Sequence, residues 1–127
     1  MSSVIKGTIW EDTGPYMMAR ITGNDGANVT QSDVSSISYV VVDMTDTDTA
    51  VASGTLTVAS VIYDTLQSGD SRWTEDSTGY NFGFTLAATA FPTGARTYRV
   101  DCDFDMATGE NLAVVFEIVT KKRFRPS

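Results

Sequence analysis

From Tyr98 to Met106 every even position is apolar and every odd one charged: Tyr98, Val100, Cys102, Phe104 and Met106 alternate with Arg99, Asp101, Asp103 and Asp105. Only an extended chain sorts such a series onto two faces, so this segment is a strand with one side in a core and the other in water. The turn Ala107-Thr108-Gly109-Glu110-Asn111 follows. Leu112 to Thr120 then returns, with Val114, Phe116 and Ile118 suited to the same buried face. A slip of one residue would place that whole set in water, which constrains the register. Pairing Cys102 with Phe116 and Val100 with Ile118 satisfies the pattern and leaves a five-residue loop.

The remainder also reads as strands. Tyr16 to Ile21 leads into the turn Gly23-Asn24-Asp25-Gly26. Ser36 to Asp43 sets Ile37, Tyr39 and Val41 against Ser36, Ser38 and Val40, and Tyr80 to Leu86 alternates large apolar with small or polar residues. Residues 54–58 and 61–64 are shorter candidates. One helical turn is expected, at Ala87 to Phe91, closed by Pro92 and Gly94. The loop from Gln67 to Ser77 is anchored by Trp73. Seven or eight short strands at this spacing predict an all-β, antiparallel sandwich. The order of helical turn, glycine, Tyr98-x-Val100, hairpin and final strand resembles the later half of immunoglobulin-like domains, in which a tyrosine caps the preceding corner.

Composition narrows the chemistry. A chain of 127 residues supports one domain with a core of its own. No apolar run is long enough to span a bilayer, and the first residues have neither the basic start nor the apolar stretch of a signal peptide, so folding in a cytosol is expected. Cys102 is the lone cysteine and cannot form an internal disulfide. The absence of histidine removes the commonest general base and zinc ligand. No residue set selects a catalytic, metal or cofactor role, and no enzyme is expected.

The acidic groups have plainer readings than metal binding. Asp101, Asp103 and Asp105 stand roughly 6.7 Å apart along a strand, too far to share one ion unaided, and suit a solvated face. Asp43, Asp46 and Asp48 have turn spacing but lack the glycine and distal glutamate of a calcium loop. Glu11/Asp12 and Glu75/Asp76 read as loop charges. Trp10, Tyr16, Trp73 and Tyr80 offer a sugar-stacking platform or core anchors.

Charge is sharply segregated. The last seven residues hold Lys121, Lys122, Arg123 and Arg125 around Phe124, leaving five of the nine basic residues among the preceding 120, which carry all 16 carboxylates. The body is thus near −11 and the tail +4, within a net charge of −7. Such an acidic body disfavours nucleic acid and anionic membranes, whereas an arm gripping the acidic face of a neighbour fits both halves. The organisation expected is an extended N-terminal arm over 1–15, a sandwich over 16–120 and a basic tail over 121–127. Ile5, Ile9 and Trp10 of the first arm are candidate partner contacts by addition to a neighbour's sheet edge. Lys121, Lys122, Arg123, Phe124 and Arg125 are those of the second.

Several signatures recur together: Arg20-Ile21-x-Gly23-Asn24-Asp25-Gly26-x-Asn28, Ser35 to Tyr39, Asp64-Thr65-Leu66-Gln67, Trp73-Thr74, Ser77 to Phe82, Phe91-Pro92-x-Gly94, Thr97 to Val100, Gly109-Glu110 and Val115-Phe116-Glu117. In these the chain resembles small proteins encoded in tailed-phage and prophage structural clusters, over residues 17–119. The resemblance implies an immunoglobulin-like sandwich and a virion structural protein made in the bacterial cytoplasm, a head decoration or head–tail junction subunit. Its expected partners are copies of itself and other virion proteins, in a homo-oligomer. A tail or baseplate subunit, or a glycan-binding host-recognition module, is the alternative. No active residue carries over, and the basic tail lies outside the shared pattern.

Overall fold

A computed structural model describes residues 4–23, 25–45 and 49–123. They are predominantly β, in two sheets. The strands are β1 (Val4–Trp10), β2 (Tyr16–Ala19), β3 (Val34–Asp43), β4 (Thr49–Leu56), β5 (Ile62–Gln67), β6 (Tyr80–Thr85), β7 (Arg96–Met106) and β8 (Asn111–Lys121). The larger sheet runs β1-β8-β7-β3-β4 and the smaller β2-β6-β5.

The alternating segment is β7, with Tyr98, Val100, Cys102 and Phe104 fully buried and Arg99, Asp103 and Asp105 exposed. Its hairpin with β8 forms, two residues out of the expected register: Cys102 lies opposite Val114 and Val100 opposite Phe116. A two-residue shift keeps every apolar side chain on its face, so alternation alone does not distinguish the two pairings. The observed one carries the ladder on to Asp105 opposite Asn111 and gives Phe104 the partner Leu112. The turn closes through the Met106 N–H to the Glu110 carbonyl at 2.8 Å, with Gly109 at φ +91°.

The N-terminal segment is not a free arm. β1 pairs with β8 of its own chain, in parallel, from Val4 opposite Val115 to Trp10 opposite Lys121, so this sheet is mixed and not wholly antiparallel. Ile5 and Ile9 turn inward and pack on the core, whose apolar surface holds the strand in place. Residues 11–15 are tied down as well: the Asp12 N–H donates to the Phe91 carbonyl at 2.7 Å and the Leu86 N–H to the Pro15 carbonyl at 3.2 Å.

Between the sheets the inner faces make one apolar core. Phe82 and Phe84 on β6 meet Phe104 on β7 and Phe116 on β8 at ring-centroid distances of 5.0 and 6.1 Å. The expected helical turn is a 3-10 turn at Ala88–Ala90. Two more short turns form: a 3-10 turn at Gln31–Asp33, where no element was expected, and the single-turn helix α1 (Val58–Val61), which joins the two stretches read as strands. Past the first of these corners the buried Tyr98 places its hydroxyl 3.2 Å from the Thr93 N–H and 3.4 Å from the Thr93 carbonyl. Asn81 fixes the opposite flank: its amide donates to the Ile21 and Val29 carbonyls, each at 2.9 Å, and accepts the Ile21 N–H at 2.7 Å.

Candidate interaction surface

Three features of the surface bear on function: the root of the basic tail, the outer face of the larger sheet, and an aromatic groove beside β2. The tail does not leave the body at Thr120. Lys121 is the last residue of β8, and the Glu11 N–H donates to its carbonyl at 2.9 Å. The Glu11 carboxylate accepts the Gly94 N–H at 2.8 Å and the Arg123 N–H at 3.1 Å. Lys122 crosses so close to Gly94 that a Cβ there would fall 2.7 Å from the Lys122 Cα. The chain is therefore held through Arg123, three residues further than expected. Phe124 and Arg125 lie outside the described residues.

The predicted contact residues divide accordingly. Ile5 and Ile9 face inward and are part of the fold. Trp10, 55 % exposed, stands on the outer face of the larger sheet beside the exposed Lys121. Val119, 40 % exposed, is on the same face, opposite Thr8. Lys122 and Arg123 are exposed at that end of the sheet. Sequence reading gave Glu11 as a loop charge, whereas its carboxylate organises the tail root. Its position directly after a strand and beside Trp10 was the available signal.

Of the proposed aromatic platform, Tyr16 and Trp73 come together, Tyr63 joins them, and Trp10 is elsewhere. Tyr80 is 3 % exposed and sits among the other three, with ring centroids 6.4, 5.8 and 5.6 Å from Tyr16, Tyr63 and Trp73. It serves as a core anchor. The Tyr16 and Tyr63 hydroxyls meet at 3.0 Å, and the Arg72 guanidinium lies 4.1 Å from the centre of the Tyr16 ring, a cation–π distance. Burial raises the Tyr16 and Tyr80 phenol pKa values, and the hydrogen bond to Tyr16 raises that of Tyr63.

Two aspartates organise the loop around these rings. Asp70 accepts from Arg72 and from the Tyr80 hydroxyl, both at 2.7 Å, and the Arg72 hydrogen bonds hold its carboxyl well below the usual range. Asp76 accepts from the Trp73 indole at 3.0 Å, from Arg20 and from the Thr78 and Gly79 N–H groups. The Trp73 bond first, then Arg20, lower its pKa to about 2. Beside this loop, between β1 and the free edge of β2, runs a groove of about 650 Å³ lined by Ile5, Ile9, Tyr16, Arg20, Arg72 and Trp73 among others.

The remaining acidic candidates are structural. Asp43 forms an ion pair with Arg96 at 2.9 Å and accepts the Thr45 N–H, while Asp46 and Asp48 lie outside the described residues. Asp101 pairs with Arg99 at 2.7 Å, and Asp105 accepts from the Ser36 hydroxyl at 3.0 Å. Among the described residues no group of three or more acidic or cysteine side chains is placed to hold a metal ion. Cys102 is buried, and burial, with Asp101 and Asp103 nearby, pushes its thiol up to about 12. Compared with known proteins, the chain matches no family model and no curated sequence.

Proposed function

We propose that the chain is a non-enzymatic structural subunit of a larger assembly, an immunoglobulin-like sandwich present in many copies whose basic tail engages a neighbour. The observation that carries this reading is the tail root. A strand pinned by Phe116 and Ile118 continues into Lys121, and Glu11 fixes the backbone as far as Arg123. A cationic segment launched from a rigid base reaches an acidic neighbour with less ordering cost than a loose terminus. The Tyr98-to-Thr93 corner supports the immunoglobulin-like form. The resemblance over residues 17–119 to tailed-phage structural proteins supports a virion, with head decoration or head–tail junction preferred over tail or baseplate. The partners are then copies of the chain and other virion proteins.

Replacing Lys121, Lys122, Arg123 and Arg125 by glutamine, which leaves the backbone bonds of the tail root possible, tests the tail. The variant is expected to stay folded and to lose incorporation into particles, and unchanged incorporation would defeat the reading. A second reading, glycan binding, is favoured by Trp73 and Tyr16 meeting at one groove with Arg20 and Arg72 on its wall. Specific signals on a glycan array, lost in Trp73→Ala with unfolding behaviour unchanged, would favour it instead.

A further inference from the structure

Each sheet ends in two edge strands: β1 and β4 in the larger, β2 and β5 in the smaller. An edge offers backbone N–H and C=O groups to any other strand, and native edges are guarded by charge, proline, shortness or irregular pairing. Three of the four here are guarded. β1 carries Lys6, β2 has four residues directly after Pro15, and β5 carries Asp64 and pairs irregularly with β6. β4 differs. Its eight residues, Thr49-Ala50-Val51-Ala52-Ser53-Gly54-Thr55-Leu56, include no charged side chain and no proline. One bulge interrupts it, with Val51 standing extra between the pairs Ala52–Val41 and Ala50–Val42. Beyond the bulge, Ala52 to Leu56 runs in regular register along β3.

This regular segment is complementary to itself. Laid antiparallel against a copy and centred on Gly54, it sets Ala52 opposite Leu56, Ser53 opposite Thr55 and Gly54 opposite itself. The faces agree, because Ala52 and Leu56 pack towards the core while Ser53 and Thr55 are exposed. Either phase of the ladder suits this register. The backbone groups turned away from β3 belong to residues 52, 54 and 56 or to 53 and 55, and each set pairs with itself. At the centre two glycines leave room for Tyr39, whose ring and hydroxyl lie 3.1 Å from where a Gly54 Cβ would stand. Glycine inside a strand is found where another backbone comes close. Charge does not oppose the contact. The carboxylates level with Ser53 and Thr55 are Asp101 and Asp103 on β7, two strands in. With strands about 4.8 Å apart, those of the two copies stand roughly 24 Å from each other, well beyond the screening length of about 8 Å.

We propose that two copies of this chain join edge to edge through β4, antiparallel about a two-fold axis at Gly54, so that their five-stranded sheets become continuous. Self-complementarity of this kind is what a two-fold interface requires. The contact is small, so it is weak in dilute solution and gains strength among copies held close together in an assembly. It goes beyond the tail reading and uses none of residues 121–127, so the two fail separately.

The test is sedimentation equilibrium up to roughly 1 mM, the weak end of measurable association, where the unmodified chain is expected to pass from monomer to dimer. A variant carrying Ser53→Lys and Thr55→Lys, both at exposed positions, sets like charges opposite each other across the axis. It is expected to associate at least about tenfold more weakly. A second variant, Ser53→Glu with Thr55→Glu, is expected to be as weak alone and to form a heterodimer with the first, which also verifies that both fold. Amide hydrogen exchange needs no variant: protection of residues 52–56 in the unmodified chain is expected to rise with concentration. The chain whose four tail cations are replaced by glutamine is expected to dimerise unchanged. An unmodified chain that stays monomeric to roughly 1 mM would overturn the pairing. So would a dimer indifferent to the lysines, variants that fold by circular dichroism yet fail to combine, or protection that rises elsewhere and not over 52–56. Loss of the dimer in the glutamine chain would overturn β4 as the contact.

Discussion

Replacing Asn81 by aspartate changes one buried atom and should make the protein's stability depend on pH. Asn81 is 1 % exposed and makes three hydrogen bonds to backbone. In the aspartate one oxygen still accepts the Ile21 N–H, but the other, in place of the amide nitrogen, faces the Ile21 and Val29 carbonyls. Ile21 keeps a second partner, the Val29 N–H at 3.0 Å, so a protonated carboxyl that donates to Val29 loses one bond, about 1 kcal/mol. An ionised carboxylate is held against two carbonyl oxygens in the core. Burial of this kind raises a carboxyl pKa by roughly 3 units, from about 3.9 to about 7, and each unit is about 1.4 kcal/mol. The folded-state pKa is raised, so the protonated contribution is fully present below about pH 4 and is lost as pH rises to about 7. The variant should therefore trail the unmodified protein by about 1 kcal/mol near pH 4 and by about 5 kcal/mol above pH 7, where a typical domain has only about 5–15 kcal/mol in all. Urea unfolding of both proteins at the two pH values, followed by tryptophan fluorescence, measures the difference. An equal loss at both values would refute the reasoning.

Other outcomes follow from the same contacts. Asp76, with its pKa lowered to about 2, contributes stability that is present above the ordinary carboxylate pKa of about 3.9 and is lost as pH falls through about 2. Trp73 fluorescence should report loosening of its loop in that window, and a change centred near pH 4 would contradict the assignment. Cys102, with its thiol at about 12, should react with a thiol reagent at pH 8 roughly a thousandfold more slowly in the folded protein than after denaturation. Glu11→Ala should speed amide hydrogen exchange at Gly94 and Arg123, the two N–H groups its carboxylate accepts, while leaving Cys102 protected.

What could be read in advance was what local pattern dictates. The alternation over residues 98–106 gave the buried face of β7 outright, because period two admits no other assignment. It left the register with β8 open by two residues, since both pairings bury the same side chains. The docking of β1 was hidden because its partner is more than a hundred residues away and parallel, a pairing without a turn to announce it. Gly14-Pro15 made the segment look detached, whereas Gly14 passes against the Leu86 carbonyl, where a Cβ would lie 2.5 Å from it. The aromatic groove was half legible: Trp73 and Tyr16 stood out, but Tyr63 lies in a short strand, Asp76 read as a loop charge and Asp70 carried no signal of its own, whereas in the fold Arg72 and Tyr80 bond to Asp70 and Trp73 to Asp76. The tail's composition was evident from the sequence, while the carboxylate at its root was not, since Glu11 reaches Arg123 only in the folded chain.

The proposal that this chain is built into a particle in many copies is tested by quantitative mass spectrometry of particles purified from cells that express it. The chain is expected in a fixed, multiple-copy ratio to the main structural protein of the particle, and its absence from intact particles would overturn the proposed role.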